Sequence, residues 1–175
     1  LALGAGAFMP VAASAQDAST WPERPVTIVV PYNPGGSTDA AARFLAPVLS
    51  ESLGQPFVVE NKPGASGTIG TDLVAKADAD GYTILVHTSV ISIHPAFKSN
   101  LTYDTENDLT SVSVVAEGPF VLNVNPELPV SSVEEFVAYA KENPGDLNFG
   151  SAGAGSSGHL IAELFMEQTG TEMVH

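Results

Sequence analysis

Short apolar runs alternate along the chain with longer stretches that have helical periodicity. Apolar runs cover Val26–Val30, Phe57–Glu60 and Thr83–His87. Between them, Ser37–Leu53 and Thr71–Ala77 carry apolar residues at helical spacing. Alternating strands and helices of this kind predict an α/β fold, in which a mostly parallel sheet is covered by helices on both faces.

The alternation is interrupted beyond the third run. Ser111–Ala116 and Pro119–Val124 have the composition of extended segments, with a Glu-Gly pair between them. We expect a domain change near Gly118, which gives a first α/β domain over residues 16–117 and a second over residues 118–175.

Helical patterns return in the last third of the chain. Ser132–Asn143 is predicted as a helix because Ser132 and Glu135 have the spacing of a capping box. A short strand at Leu147–Phe149 and a helix near Ser157–Thr169 follow. The chain stops where a further strand is expected, so we expect the second domain to be incomplete in this sequence.

Gly-rich turns over Pro34–Asp39, Pro63–Gly70 and Gly150–Gly158 follow three apolar stretches: Val26–Val30, Phe57–Glu60 and Leu147–Phe149. Such turns at helix N-termini leave backbone N–H groups unpaired, and these groups bind anions. In a parallel sheet the turns lie outside the carboxyl ends of the strands, where ligands bind. The pattern therefore predicts a site that holds a small anion with the main chain.

Composition limits the partners and the chemistry. The net charge of −14 argues against nucleic acid or an anionic membrane surface as a partner. Repulsion of an anionic ligand is screened beyond about 8 Å at physiological salt, so a local cluster of N–H donors still dominates. The chain has no cysteine, no histidine pair at metal-binding spacing and no nucleophile elbow. We therefore predict no catalytic residue, no metal and no cofactor.

The N-terminus has the features of an export signal. Leu1–Val11 matches the apolar part of a secretory signal peptide, and Ala13–Ala15 matches its cleavage site. Residues 1–15 are thus expected to be a signal peptide remnant, with the mature protein starting near Gln16 in the periplasm. The apolar run is too short to span a membrane, so no direct membrane insertion is expected.

The first turn offers candidate main-chain contacts. Gly35 and Gly36 let the backbone approach a ligand closely, and Ser37 or Thr38 is expected to cap the following helix. An ordinary strand-to-helix turn with a good cap has the same pattern, but the second Gly-rich turn favours ligand binding. The N–H groups of both turns are the expected donors, those of Gly35, Gly36, Gly67 and Thr68.

Charged residues beside the turns have separate expected roles. Asp39 and Arg43 are four residues apart on the predicted helix, so they are expected to pair, with Asp39 orienting the turn. Lys62 is the only basic residue that the sequence places beside a Gly-rich turn. A solvated surface lysine is the favoured interpretation of Lys62.

Polar side chains near the turns complete the candidate set. Thr88 and Ser89 follow the third strand and are expected to face the same cleft, whereas Tyr32 either lines the site or packs against the first helix. Ser151 and Ser156 suit a carboxylate or a bound water, or simply belong to a glycine loop. The predicted ligand-binding residues are Tyr32, Gly35, Gly36, Ser37, Asp39, Ser66, Gly67, Thr68, Thr88, Ser89, Ser151, Ala152, Gly153, Ser156 and His159.

The motifs together resemble a known family. In order along the chain they are Pro34–Gly36 with Asp39 and Arg43, Val59–Gly70, Asp80–Thr83, His94-Pro95, Asn107–Leu109, and Phe149–Gly155 leading to His159-Leu160 and Glu163–Phe165. This series resembles the solute-binding receptors of tripartite tricarboxylate transporters, the Bug-type periplasmic proteins. The resemblance runs from about Trp21 to His175.

The resemblance implies a periplasmic-binding-protein (Venus flytrap) architecture, in which two α/β domains close on a ligand and whose C-terminal part is missing from this chain. It implies a small organic carboxylate as ligand and the membrane permease subunits of a tripartite tricarboxylate transporter as partners. The first two turns would hold one carboxylate through amides and ordered waters, and the third would reach the ligand from the second domain. Ser66 departs from the small apolar residue or glycine usual there and is expected to add a hydroxyl contact.

Two alternatives remain open from the sequence. Gly153–Gly158 satisfies G-x-G-x-x-G before a helix, which is typical of a dinucleotide-binding oxidoreductase. The strand before it is short, however, and the acidic residue expected after the next strand would fall beyond His175. The other alternative is a receptor of the same kind that presents its ligand to a membrane sensor.

Overall fold

The computed structural model describes residues 20–175. Its centre is a three-stranded sheet of β1 (Val26–Val30), β2 (Phe57–Asn61) and β3 (Thr83–Leu85), all parallel, in the order β2-β1-β3. The predicted α/β fold with a parallel sheet is therefore confirmed. The predicted signal peptide remnant, residues 1–15, lies outside the described residues.

The central strand β1 is apolar because it is covered on both faces, as is usual for parallel strands. Ile28 and Val29 point to opposite faces, and both are fully buried. Helix α1 (Ser37–Leu53) has the predicted bounds and packs Ala42 and Ala46 against the sheet. The hydrophobic core consists of Val26, Ile28, Val30, Ala42, Ala46, Phe57, Tyr82 and Val86.

Several predicted boundaries differ from the structure. Strand β2 runs one residue further than predicted, to Asn61. Helix α2 (Thr68–Ala75) begins three residues before its predicted start, because a 3-10 turn at Ala65–Gly67 leads directly into it, and ends two residues before its predicted end. Strand β3 ends at Leu85 and not at His87, although the Val86 N–H still donates to the carbonyl of Val29 at 3.0 Å.

The strand order reverses at the central strand β1. The chain runs from β1 to β2 on one side and then crosses to β3 on the other. In doubly wound sheets such a reversal marks the point where ligands bind. The first two Gly-rich turns follow β1 and β2 and therefore lie at this edge.

The chain beyond β3 is less regular. A 3-10 turn at Ser89–Ser92 and a one-turn helix α3 (His94–Phe97) are followed by a long segment without helix or strand. The two segments predicted as extended are not paired in a sheet within residues 20–175, and their apolar residues are exposed, Val112 by 92% and Phe120 by 63%.

The last part of the chain contains two capped helices. Helix α4 (Val133–Glu142) is capped by Ser132, whose Oγ accepts from the N–H of Glu135 at 3.2 Å, as the capping-box spacing predicts. The predicted strand at 147–149 is reduced to one parallel bridge between Asn148 and Val174. Helix α5 (Ser157–Thr169) has the predicted bounds. Within residues 20–175, no helix has the length and apolar composition needed to cross a membrane.

Candidate ligand-binding site

The first Gly-rich turn is held by the buried carboxylate of Asp39. Its oxygens accept hydrogen bonds from the N–H of Gly35 and from Asn61 Nδ2, each at 2.9 Å. Arg43 Nε donates to both oxygens, at 2.9 and 3.0 Å, so the predicted pair is present. The hydrogen bond from Arg43, followed by those from Gly35 and Asn61, lowers the pKa of Asp39 to about 2. Because Asn61 ends β2, Asp39 ties the first turn to the neighbouring strand.

The N-terminus of α1 presents free backbone N–H groups. Gly36 is the N-cap residue and no side chain caps this helix, so the predicted cap by Ser37 or Thr38 is wrong. The structure gives no acceptor within residues 20–175 for the N–H groups of Gly36, Ser37 and Thr38. The positive end of the helix dipole and these donors favour an anion there.

The second Gly-rich turn holds two residues other than glycine in the left-handed region, Ala65 (φ 48°) and Ser66 (φ 60°). This conformation is costly for residues with a Cβ and is often found at ligand clamps. Gly67 N–H donates to Gly64 O at 3.0 Å, and Thr68 N–H donates to Ala65 O. The N–H groups of Ala65 and Ser66, in contrast, have no acceptor in the described part of the chain.

The ends of β1 and β3 meet beneath the second turn. Tyr32 Oη lies 2.9 Å from Thr88 Oγ1, and a Cβ at Gly67 would lie 2.7 Å from His87 Nε2 and 3.4 Å from Tyr32 Oη. Only glycine therefore fits at position 67. Burial raises the pKa of Tyr32 and lowers the pKa of His87 to about 4, so both groups are neutral at neutral pH.

The structure adds Lys98, which the sequence did not reveal as part of the site. Lys98 Nζ donates to the carbonyl of Ala65 at 3.0 Å. The expectation that Lys62 is the only basic residue beside a Gly-rich turn is therefore wrong. Lys62 itself forms an ion pair with Glu60 at 3.1 Å, as a surface lysine would. Lys98 lies 33 residues after Ala65, beyond the range of any local motif.

The third Gly-rich turn lies against the second. Ser66 Oγ donates to the carbonyl of Ala154. The hydroxyl expected to contact a ligand therefore forms a hydrogen bond with the third turn. Gly155 packs on the ring of Phe97, and a Cβ there would lie 2.5 Å from Phe97 Cε2. These contacts bring the second and third turns together beside α3.

The polar groups of the third turn are largely used within it. Ser151 Oγ accepts from Gly153 N–H at 3.1 Å and lies 2.7 Å from His175 Nε2. Ser156 Oγ caps α5 by accepting from the N–H of His159 at 3.4 Å. His159 Nδ1 in turn accepts from the N–H of Gly155 at 3.4 Å. The third turn is thus internally braced, whereas the first leaves donors free.

The remaining candidates, Ser89 and Ala152, are exposed to solvent, Ser89 at the start of its 3-10 turn and Ala152 in the third turn. Ligand contact by the candidate residues stays a prediction. A dinucleotide-binding motif requires a strand before its glycines, but only a single β-bridge, at Asn148, precedes Gly153–Gly158.

Other features of the surface do not suit an anion or a metal. A shallow depression beside α5 is lined by Glu163, Glu167 and Glu172 and includes no residue of the three turns. Its acidic lining would repel an anion. Within residues 20–175, no group of three or more histidine and carboxylate side chains has the arrangement of a metal site.

Sequence comparisons identify relatives. The family model "Tripartite tricarboxylate transporter family receptor" matches residues 41–175. Protein BugT of Bordetella pertussis is 43% identical over 169 residues, which cover 94% of this chain and 52% of that protein. A protein of Pseudomonas sp. encoded in the tcbD-tcbE intergenic region is 40% identical over 92% of this chain and 48% of its own length. The chain thus spans about half the length of these relatives.

Solved structures agree with the sequence relatives. Rpa4515 of R. palustris, determined with adipate, superposes with a TM-score of 0.84 at 44% identity, over 88% of this chain and 52% of that one. MatC from Rhodopseudomonas palustris, with bound malate, superposes with a TM-score of 0.77 at 31% identity, over 88% of this chain and 53% of that one. The fold is therefore that of periplasmic binding proteins, and this chain belongs to the tripartite tricarboxylate transporter receptor family.

Proposed function

We propose that this chain is the ligand-binding part of a periplasmic receptor, and not an enzyme, that captures a small organic carboxylate. The receptor would deliver it to the permease of a tripartite tricarboxylate transporter. The observation that carries the proposal is the row of N–H groups at Gly36, Ser37 and Thr38, which have no acceptor among residues 20–175 and follow the carboxyl end of the central strand. A carboxylate is an anion of the size and hydrogen-bonding capacity that such a helix N-terminus accepts.

The second turn supports the same ligand class. The N–H groups of Ala65 and Ser66 are also without acceptors among the described residues, and both residues have left-handed backbone. Successive N–H groups in turns of unusual backbone conformation can form anion-binding concavities. The N–H groups of Gly35, Gly67 and Thr68 already have partners in the fold. We therefore assign the carboxylate contacts to Gly36, Ser37 and Thr38 in the first turn and to Ala65 and Ser66 in the second.

The relatives narrow the ligand to a class. Rpa4515 was determined with adipate and MatC with malate, which are both dicarboxylates. We propose that residues 16–117 and 118–175 belong to the two α/β domains of a Venus flytrap that further polypeptide completes. Ligand binding would stabilise the closed arrangement, and the membrane partner would recognise that state.

The first test is the thermal midpoint of the full-length mature protein against succinate, malate, adipate, citrate, aspartate, glutamate, benzoate and NAD. A ligand that binds only the native state raises the free energy of unfolding by about 2.7 kcal/mol when its concentration is a hundred times its dissociation constant. A shift with one class of carboxylate supports the receptor. A shift with NAD alone would favour the dinucleotide enzyme instead.

A matched pair of variants tests the first turn. Gly35 (φ 90°) and Gly54 (φ 73°) lie at opposite ends of α1, and neither has an atom within 4 Å of its Cβ position. Gly35→Leu and Gly54→Leu should therefore carry a similar strain of about 1–2 kcal/mol. We expect Gly35→Leu to abolish carboxylate binding and Gly54→Leu to retain it. Equal affinities in the two variants would contradict the assignment of the first turn.

A further inference from the structure

Most of the basic residues of this chain are neutralised by carboxylates. The sequence has six lysines and arginines against twenty acidic residues. Four of the six form ion pairs within 4 Å of a carboxylate oxygen: Arg24 with Asp80, Arg43 with Asp39, Lys62 with Glu60 and Lys76 with Asp72. Lys98 and Lys141 have no such partner within residues 20–175.

These two lysines differ in their surroundings. Lys141 lies in the last turn of α4, where a positive charge complements the helix dipole. Lys98 follows α3, is half-buried, and donates from Nζ to the carbonyl of Ala65 in the second turn at 3.0 Å. The ring of the neighbouring residue Phe97 packs against Gly155 of the third turn. The ammonium of Lys98 therefore lies where the second and third turns meet.

Within residues 20–175, the Lys98 ammonium contacts the Ala65 carbonyl and the ring of Phe97, whose centroid is 5.9 Å away, and no carboxylate is among these contacts. An ammonium has three donors, and the carbonyl of Ala65 uses one of them without neutralising the charge. The same ammonium helps to lower the pKa of His94, after the larger effect of burial. In a chain with a net charge of −14, a fixed cation without a carboxylate is suited to receive one from a ligand.

We infer that Lys98 is a specificity-determining residue, which binds a second carboxylate of a ligand whose first carboxylate lies at the N-terminus of α1. The inference rests on the proposed carboxylate receptor and deepens it. It assigns the turns to recognition of one carboxylate and Lys98 to selection of ligands with two or more. A monocarboxylate would make the first set of contacts only.

The test measures dissociation constants by calorimetry on the full-length protein and on Lys98→Gln, with Lys141→Gln as the matched control. The probes are succinate, malate, adipate and citrate, together with butyrate and hexanoate as monocarboxylates of the same chain lengths as succinate and adipate. We expect Lys98→Gln to weaken di- and tricarboxylates at least about tenfold, which is typical for loss of one charge-assisted hydrogen bond, and to leave monocarboxylates within about twofold. Lys141→Gln should behave as wild type.

The ratio of the affinities for dicarboxylates and monocarboxylates separates recognition from a structural role. If Lys98 only braced Ala65, Lys98→Gln would weaken both classes equally, which would overturn the inference. Unchanged affinities in Lys98→Gln, or a wild type that prefers monocarboxylates, would overturn it too while leaving the receptor intact. A wild type that binds no carboxylate at all would overturn the proposed function itself. Lys98→Arg should keep most of the selectivity, because it keeps the charge.

Discussion

The helices of two regions begin in different ways. In residues 20–110, here the sheet region, α1 and α2 start at Gly36 and Gly67 without a side-chain cap. In residues 111–175, here the helical region, α4 and α5 start at Ser132 and Ser156, whose hydroxyls accept from the first turn. Side-chain caps satisfy helix N–H groups that would otherwise remain available. The comparison shows that the start of a helix either satisfies its own N–H groups with a side chain or leaves them available to a ligand.

The two regions also differ in burial. Four of the five residues of the central strand β1 are buried, and the hydrophobic cluster around this strand lies entirely in the sheet region. In the helical region, α4 buries only Phe136 and Ala140. Helix α5 in the helical region has no buried residue. Local sequence therefore suffices to set where a helix begins and ends, whereas burial depends on strands that pair with one another.

The largest expected change in the free energy of unfolding comes from truncating a buried isoleucine, and an exposed isoleucine serves as its control. Ile28 in β1 is fully buried, and Ile161 in α5 is 43% exposed. Ile28→Ala should lower the free energy of unfolding by about 2–5 kcal/mol, because it leaves a cavity in the core. Ile161→Ala should cost less than about 1 kcal/mol. Urea denaturation measures both, and equal losses would mean that the two regions are packed equally well.

Acidification should weaken the sheet region through His87. The pKa of His87 is lowered by burial to about 4, from an ordinary value of 6.5. Between these values the unfolded chain binds a proton that the folded chain does not. The free energy of unfolding should thus fall by about 2–3 kcal/mol from pH 7 to pH 4.

Chemical denaturation across this pH range measures the slope, and hydrogen exchange locates the loss in β1 and β3. His87→Gln should reduce the slope, and the part that remains is expected from His94, whose pKa is also lowered by burial. Asp39 acts in a separate window, because its pKa is lowered to about 2 and its contribution is lost only as the pH falls from 3.8 towards 2. A wild-type slope in His87→Gln would contradict the assignment.

The caps give a smaller effect. Ser132→Ala and Ser156→Ala should each cost about 1 kcal/mol, because each removes an acceptor for a helix N–H group. Ser37→Ala in α1 is the matched control and should cost only a few tenths, since Ser37 caps nothing. Hydrogen exchange of the first-turn amides measures each change. A comparable loss in Ser37→Ala would show that α1 is capped after all.

Gly36→Ser should change stability the least of these variants but should weaken ligand binding. Gly36 has extended backbone at the N-cap of α1, and the nearest atom to its Cβ position is 3.8 Å away. Gly36→Ser should fit there and stabilise the protein by a few tenths of a kcal/mol, because Oγ accepts from the first turn. The same hydroxyl competes with a ligand carboxylate. We therefore expect weaker carboxylate binding, which calorimetry measures, and undiminished binding would contradict the proposed donors.

Much of the fold could be predicted because its signals are local. The bounds of α1 and α5 and the cap at Ser132 follow from periodicity, Gly at the helix ends and one spacing rule. The two apolar segments over residues 111–124 showed the limit of such signals. Their composition predicts extended chain, but a strand exists only where another strand pairs with it.

The site was predicted less completely. The Gly-rich turns and the Asp39–Arg43 pair are sequence-local and could be found. The contact from Asn61 to Asp39 spans 22 residues, and that from Lys98 to Ala65 spans 33. The left-handed backbone at Ala65 has no glycine to signal it. Such features arise from tertiary packing, which no single motif encodes.

The exposed segment over residues 111–124 also affects the tendency of the protein to self-associate. It carries Val112 and Val121, exposed by 92% and 71%, and Glu117 is its only charged residue. Unpaired apolar chain of this kind is where copies of a protein join. Repulsion between copies that each carry a charge of −14 opposes this at low salt. That repulsion reaches about 10 Å at 0.1 M salt and about 3 Å at 1 M. We therefore expect the chain to remain monomeric at low ionic strength and to self-associate at about 1 M salt.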